Sequence, residues 1–203
     1  DNTVALFEIS ADTLKVESVG AIDIAKDSEV YGYCLGKNAK GELLSLVNTK
    51  DGKVWVHKVE LSTMVAERLA IWQFNSQLEG CSSDDDAQAV FVGEEEHGLW
   101  RLKHQNGVET DRILVDSIAA DQGLVMDVEG VDIWRGENGE GYVVVSAQAA
   151  DRFVIYDRKA PFAKVGIIQI GPNTEANIDG VSHTDGLTVS SANFGENLPS
   201  GLL

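Results

Sequence analysis

The sequence predicts an all-β chain folded as a β-propeller with four-stranded blades, and three observations predict it. Short alternating runs rich in β-branched and aromatic residues fill the chain, among them VALFEI, ELLSLVN, KVWVHKVE, QAVFVGE, GYVVVSA and RFVIYD; this is the period-2 pattern of strands. Turn sequences such as Lys50-Asp51-Gly52 and Glu137-Asn138-Gly139 separate them closely enough for hairpin to follow hairpin. An acid-Gly pair recurs at Glu79-Gly80, Glu129-Gly130 and Asp179-Gly180, 50 residues apart each time, with the aromatic pair Tyr31-Gly32 a further 48 upstream. A repeat of ~45 to 50 residues with four strands in each unit marks propeller blades packed face to face.

Taken in order, VALFEI and LKVESV are the last two strands of an earlier unit. Unit one runs from Tyr31 to Phe74, unit two from Glu79 to about Asp116, unit three from Glu129 to Ile170, and unit four begins near Asp179. Thr63 to Trp72 is the one stretch that invites a helix, and its neighbours make an outer strand the better reading. About four blades' worth is present, so residues 1–203 read as a single, partial propeller domain. An open ring leaves blade faces and edges uncovered, so another segment or chain is expected to complete it.

Sixteen Lys and Arg stand against 33 Asp and Glu, a formal charge of −17, which argues against nucleic acid or an anionic membrane as partner. No apolar run reaches the ~18 residues of a transmembrane helix, and the opening DNTVALFEIS lacks the basic and apolar regions of a signal peptide. Cys34 and Cys81 lack CxxC spacing. Two buried apolar thiols are the favoured reading, and a disulfide between neighbouring units stays open for an oxidising compartment. GxSxG, GxxxxGK[ST], HExxH and EF-hand signatures are absent, and His57, His97, His104 and His183 stand apart from any nucleophile. A metal-activated water is then the natural nucleophile for any chemistry.

The innermost strands of a propeller line its channel, so the acids Glu79, Glu129 and Asp179 would stand side by side around the axis. Asp127 lies two residues before Glu129, on the same face if both are in a strand. Glu95, in GEEEH after the second strand of its blade, reaches the same end. Five carboxylates at one opening repel each other unless cations intervene, and hard oxygen donors with no soft ligand select Ca²⁺, in several copies. Glu94, Glu96 and the run Asp84-Asp85-Asp86 read as solvated acidic loops.

The segments NSQLEG (75–80), GEEEHGLW (93–100), MDVEGVDIW (126–134), GYVVVSAQ with FVIYDR, and DGVSHTDG (179–186) together resemble β-propeller phytases, alkaline calcium-dependent enzymes of six blades. The resemblance implies a secreted or periplasmic phosphoric monoester hydrolase, a 3-phytase, acting on calcium-complexed myo-inositol hexakisphosphate through attack of a calcium-bound water. It puts Glu79, Glu95, Asp127, Glu129 and Asp179 on calcium-ligand positions. Asp185 of HTDG falls on a site acid that serves calcium and phosphate, and Tyr31 and Lys50 on phosphate-contacting positions. The chain departs from the family pattern at His183, where another Asp is usual, and at Ala149-Ala150-Asp151, where Gly-Asn follows Gln148. The family's N-terminal blades, with further ligands and a basic phosphate clamp, have no counterpart in these residues. The alternatives are therefore a non-catalytic, calcium-stabilised binding or interaction module, or an incomplete domain of a tandem phytase.

Overall fold

The computed structural model describes residues 2–24, 27–118 and 123–203, and builds them from antiparallel meanders. Strands β1 (Thr3–Ile9) and β2 (Val16–Asp23) pair as a two-stranded sheet. Blade one is β3 (Val30–Lys37), β4 (Leu43–Thr49), β5 (Lys53–Glu60) and β6 (Val65–Gln73). Blade two is β7 (Leu78–Asp84), β8 (Ala89–Glu94), β9 (Gly98–Gln105) and β10 (Val108–Ser117). Blade three is β11 (Val128–Arg135), β12 (Gly141–Ala147), β13 (Arg152–Asp157) and β14 (Lys164–Ile168). These are the three complete units set out by the repeat, and Thr63 to Trp72 does contribute an outer strand, β6.

Strand alternation explains the stacking. In β8 every residue is buried, because both faces of the blade are covered. Val90 and Val92 enter a core with Leu46, Val56, Trp72 and Cys34 of blade one. Phe91, between them, points the other way and packs with Val131, Val143 and Phe162 of blade three. The same alternation in β4 sends Leu44 and Leu46 toward blade two and Val47 toward Ile22 and Ile24 beside the first sheet. Each such Val, Leu or Phe contributes about 1.5–3 kcal/mol by leaving water, so face-to-face packing of blades is the principal source of stability. Outer strands such as β6 and β10 are mostly exposed or half-buried.

Polar contacts between blades repeat as well. Ser82 on β7 donates to Asp132 on β11 at 3.0 Å, and the other Asp132 oxygen accepts from the Val189 amide at 3.0 Å and the Thr188 hydroxyl at 3.1 Å. The chain beyond blade three is therefore docked on β11, as β11 is on β7.

Four expectations need correction. No fourth sheet begins near Asp179: among the described residues that region holds only the isolated bridges Asn173–Ile178 and Ser190–Leu202. Its sequence, rich in Asn, Gly, Ser and Asp, lacks the apolar alternation that would hold a strand between two covered faces. Cys34 on β3 and Cys81 on β7 are not free thiols but form a disulfide, with Cα atoms 5.7 Å apart. Asp84 is not solvated: it is 2% exposed and receives two hydrogen bonds from buried Arg158, at 2.8 and 2.5 Å, while Asp86 receives a third at 2.8 Å. Glu94 is likewise fully buried, for a reason that belongs to the site.

Candidate metal centre

All three blades begin with the same irregularity. The pairing of each innermost strand with the next breaks register between Val30 and Gly32, between Leu78 and Cys81, and between Val128 and Val131. A bulge of this kind re-aims a side chain at the end of a strand, and the residues inside the three breaks are Tyr31, just before Gly32, then Glu79-Gly80 and Glu129-Gly130. The glycines let neighbouring blades approach. A Cβ at Gly32 would overlap the Glu79 carbonyl oxygen, one at Gly80 the Glu129 carbonyl oxygen, and one at Gly130 would lie 2.6 Å from the Asp185 carbonyl oxygen. Repeat-equivalent acids are thereby drawn together along an open channel wall, whose cavity of about 220 Å³ is lined by Glu79-Gly80-Cys81, Gly130-Val131 and Gly186-Leu187.

At its mouth, carboxylate oxygens of Glu79, Glu95 and Glu129 lie within 4.8 Å of one another. Glu95 is held from behind: its amide donates to the Gln77 carbonyl at 3.1 Å, and its carboxylate accepts from the Gln77 side chain. Glu94 anchors this arrangement. One of its oxygens accepts from the Asn75 and Ser76 amides at 2.8 and 2.9 Å, the other from the Trp100 indole at 2.7 Å. A buried carboxylate so fully satisfied is a fixed post for the NSQLEG loop. Sequence reasoning missed Glu94; the available signal was its place as the last residue of β8, a strand covered on both faces, where Glu95 and Glu96 already lie in the turn.

Glu129 is the most enclosed of the three, 6% exposed, and its Oε2 is sealed from solvent without a hydrogen-bond partner. Burial, then a hydrogen bond with Glu79, then the charges of Glu79, Glu95 and Asp185 push its carboxyl up from 4.5 to about 9. Burial, aided by the charges of Glu79, Asp127 and Glu96, also raises Glu95, against the lowering hydrogen bond from Gln77. An orphaned buried oxygen among converging carboxylates fits a divalent cation bound through oxygen. Without metal, folded Glu129 keeps a proton between pH 4.5 and about 9 that the unfolded chain has released, so stability falls as pH rises through this window. Melting temperatures in chelator should decline from pH 5 to pH 9; a flat or rising series would contradict this.

The remaining predicted residues fall in two groups. Asp127 precedes β11 in a left-handed conformation, φ 60°, so strand alternation does not aim it; it nevertheless stands close enough to Glu95 to act on it electrostatically. Asp185 acts on Glu129 in the same way. Tyr31 is 44% exposed, its hydroxyl raised above the usual range first by Glu79, then by burial and by Glu129 and Glu95. The Lys50 ammonium sits 5.0 Å from the Tyr31 ring centre and 2.5 Å from Glu29. Asp179 is the exception: exposed, it lines a separate cleft of about 390 Å³ with Asp151, Gln169 and Ser182. The residue that follows Glu129 around the channel is Asp185, because Gly130 abuts its carbonyl and Gly186 lines the channel. The two departures noted at His183 and Asp151 meet here, since the Asp151 carboxylate accepts from the His183 amide.

A family model described as Phytase matches residues 1–203. A 3-phytase of Bacillus subtilis (strain 168) is 28% identical over 208 residues, which cover 99% of this chain and 54% of that protein. The chain thus spans about half the length of that relative. With the family match running from end to end and over every acid gathered at the channel mouth, the chain belongs to the phytase family.

Proposed function

We propose that this chain forms the carboxylate half of a calcium-dependent phytase site that hydrolyses phosphomonoesters of myo-inositol hexakisphosphate, presented as its calcium complex. The observation that carries the reading is the sealed, partnerless oxygen of Glu129 inside the triad with Glu79 and Glu95. These three would hold Ca²⁺, with Asp127 and Asp185 flanking it. Bound there, Ca²⁺ supplies positive charge for phosphoryl oxygens and polarises a water for attack on phosphorus. Tyr31, kept protonated by the carboxylates beside it, donates a hydrogen bond to a phosphoryl oxygen. Lys50, at the same rim, offers a compact point charge. Asp179 stands outside this triad, in the cleft it shares with Asp151 and Ser182. The inter-blade disulfide supports a secreted or periplasmic setting.

The test is phosphate release from calcium phytate by the whole protein, with and without chelator. Release should stop on chelation and return with added Ca²⁺. Release that ignores chelation would overturn the reading, and calcium-dependent stability with no turnover would favour the binding module instead.

A further inference from the structure

Blades two and three leave a further cleft, of about 420 Å³, at the end of the strands remote from the carboxylate triad. Glu79 and Asp84 stand at opposite ends of β7, roughly 17 Å apart along an extended strand. The cleft is therefore distinct from the candidate metal centre. Two of its cations are already satisfied: Arg158 is held by Asp84 and Asp86, and Lys159 by Glu140.

Arg101 is different. It is 8% exposed, yet among the described residues its guanidinium donates no hydrogen bond and has no carboxylate oxygen within 4.0 Å. Its carbon lies 5.3 Å from the Phe162 ring centre, while Asp84 and Asp111 act on it only through space. Its nitrogens are not among the sealed, partnerless atoms of the fold, so solvent in the cleft reaches them. Lys103, two residues along β9 and on the same face, also lines the cleft and makes no ion pair among the described residues. A mostly buried guanidinium whose planar fork meets only solvent is open to a ligand, and that fork matches a two-oxygen anion.

We propose that this cleft is an anion site, in which Arg101 and Lys103 grip the phosphate or carboxylate group of a small ligand whose body rests on Phe162 and Ile113. The site takes the anion directly, without calcium. It is tested by titrating the whole protein with inorganic phosphate, and in a second arm with acetate, in chelator. The readouts are calorimetry and the Nε–Hε resonance of Arg101. Saturable binding is expected, with a shift of that resonance, and at least tenfold weaker binding in Arg101→Met; Arg101→Lys should retain part of it. Tighter phosphate binding identifies a phosphorylated ligand, and tighter acetate binding a carboxylate. If neither anion shifts the resonance saturably, or if Arg101→Met binds as the parent does, the proposal fails. The resonance titration needs no variant, so a misfolded Arg101→Met leaves it decisive. Loss of the phytase activity would not touch it, because chelator is present throughout.

Discussion

Glu129→Gln is expected to stabilise the metal-free protein and at the same time to lower phosphate release from calcium phytate by about 10²–10³-fold, the scale on which a preorganised charge in a closed site acts. The two effects have one cause. Glu129 is buried against Glu79 and Glu95, so its negative charge is unfavourable without a cation and indispensable with one. Gln keeps the shape and removes the charge. In chelator, the variant should therefore melt above the parent, most clearly near pH 9, where the parent's Glu129 ionises. With Ca²⁺ the order should reverse, because the parent gains metal-linked stability that the variant does not. Melting curves with and without Ca²⁺, run beside phytate hydrolysis, check both halves. A variant that is less stable in chelator, or that keeps the parent's response to Ca²⁺, would show that Glu129 is a packing residue only.

The second large effect concerns the cross-link between blades one and two. Cys34 and Cys81 are 47 residues apart, and closing a loop of that size in the unfolded chain is worth about 4 kcal/mol on the loop-entropy account. The double variant Cys34→Ser, Cys81→Ser is expected to lose that stability, which for a domain of this length lowers the melting temperature by about 8–16 °C. Both sulfurs lie in the buried core shared by the two blades, so serine adds a polar cost to the lost cross-link. Reductant alone should reproduce most of the loss in the parent. Cys81 directly follows the Glu79-Gly80 step, and the variant should also bind Ca²⁺ more weakly. A melting temperature indifferent to reductant would remove the cross-link from the account.

The sequence was most legible where the repeat and the strand period reinforce each other. Val90, Phe91 and Val92 alternate between two cores because each blade has two covered faces, and this alternation, with the 50-residue spacing of Glu79 and Glu129, set out three blades within a residue or two. The spacing misled after blade three. A fixed interval selects Asp179, whereas the channel is continued by Asp185, since the turn closed by Asn173 and Ile178 adds length that an interval cannot register. Acidic runs were the other blind spot. Asp84 and Arg158 are 74 residues apart, and Glu94 is satisfied by amides 18 and 19 residues upstream. Local charge density says nothing of such partners. The disulfide stayed open for a related reason: two cysteines at one repeat distance meet only if their blades are neighbours and their strands share a face.

The glycine of each acid-Gly step has a consequence for how such a site is inherited and tuned. Because Gly80 lies against the Glu129 carbonyl and Gly32 against that of Glu79, the spacing of neighbouring blades along the channel wall is fixed by main chain meeting main chain, with no side chain between. Carboxylate and spacer are adjacent in one dipeptide, so copying a blade copies both the acid and the separation at which it meets the next one. The separation of one blade from the next is accordingly written in the residue that carries no side chain. An alanine there would act as a shim, forcing the backbone of the neighbouring acid, and its carboxylate with it, away from the preceding blade.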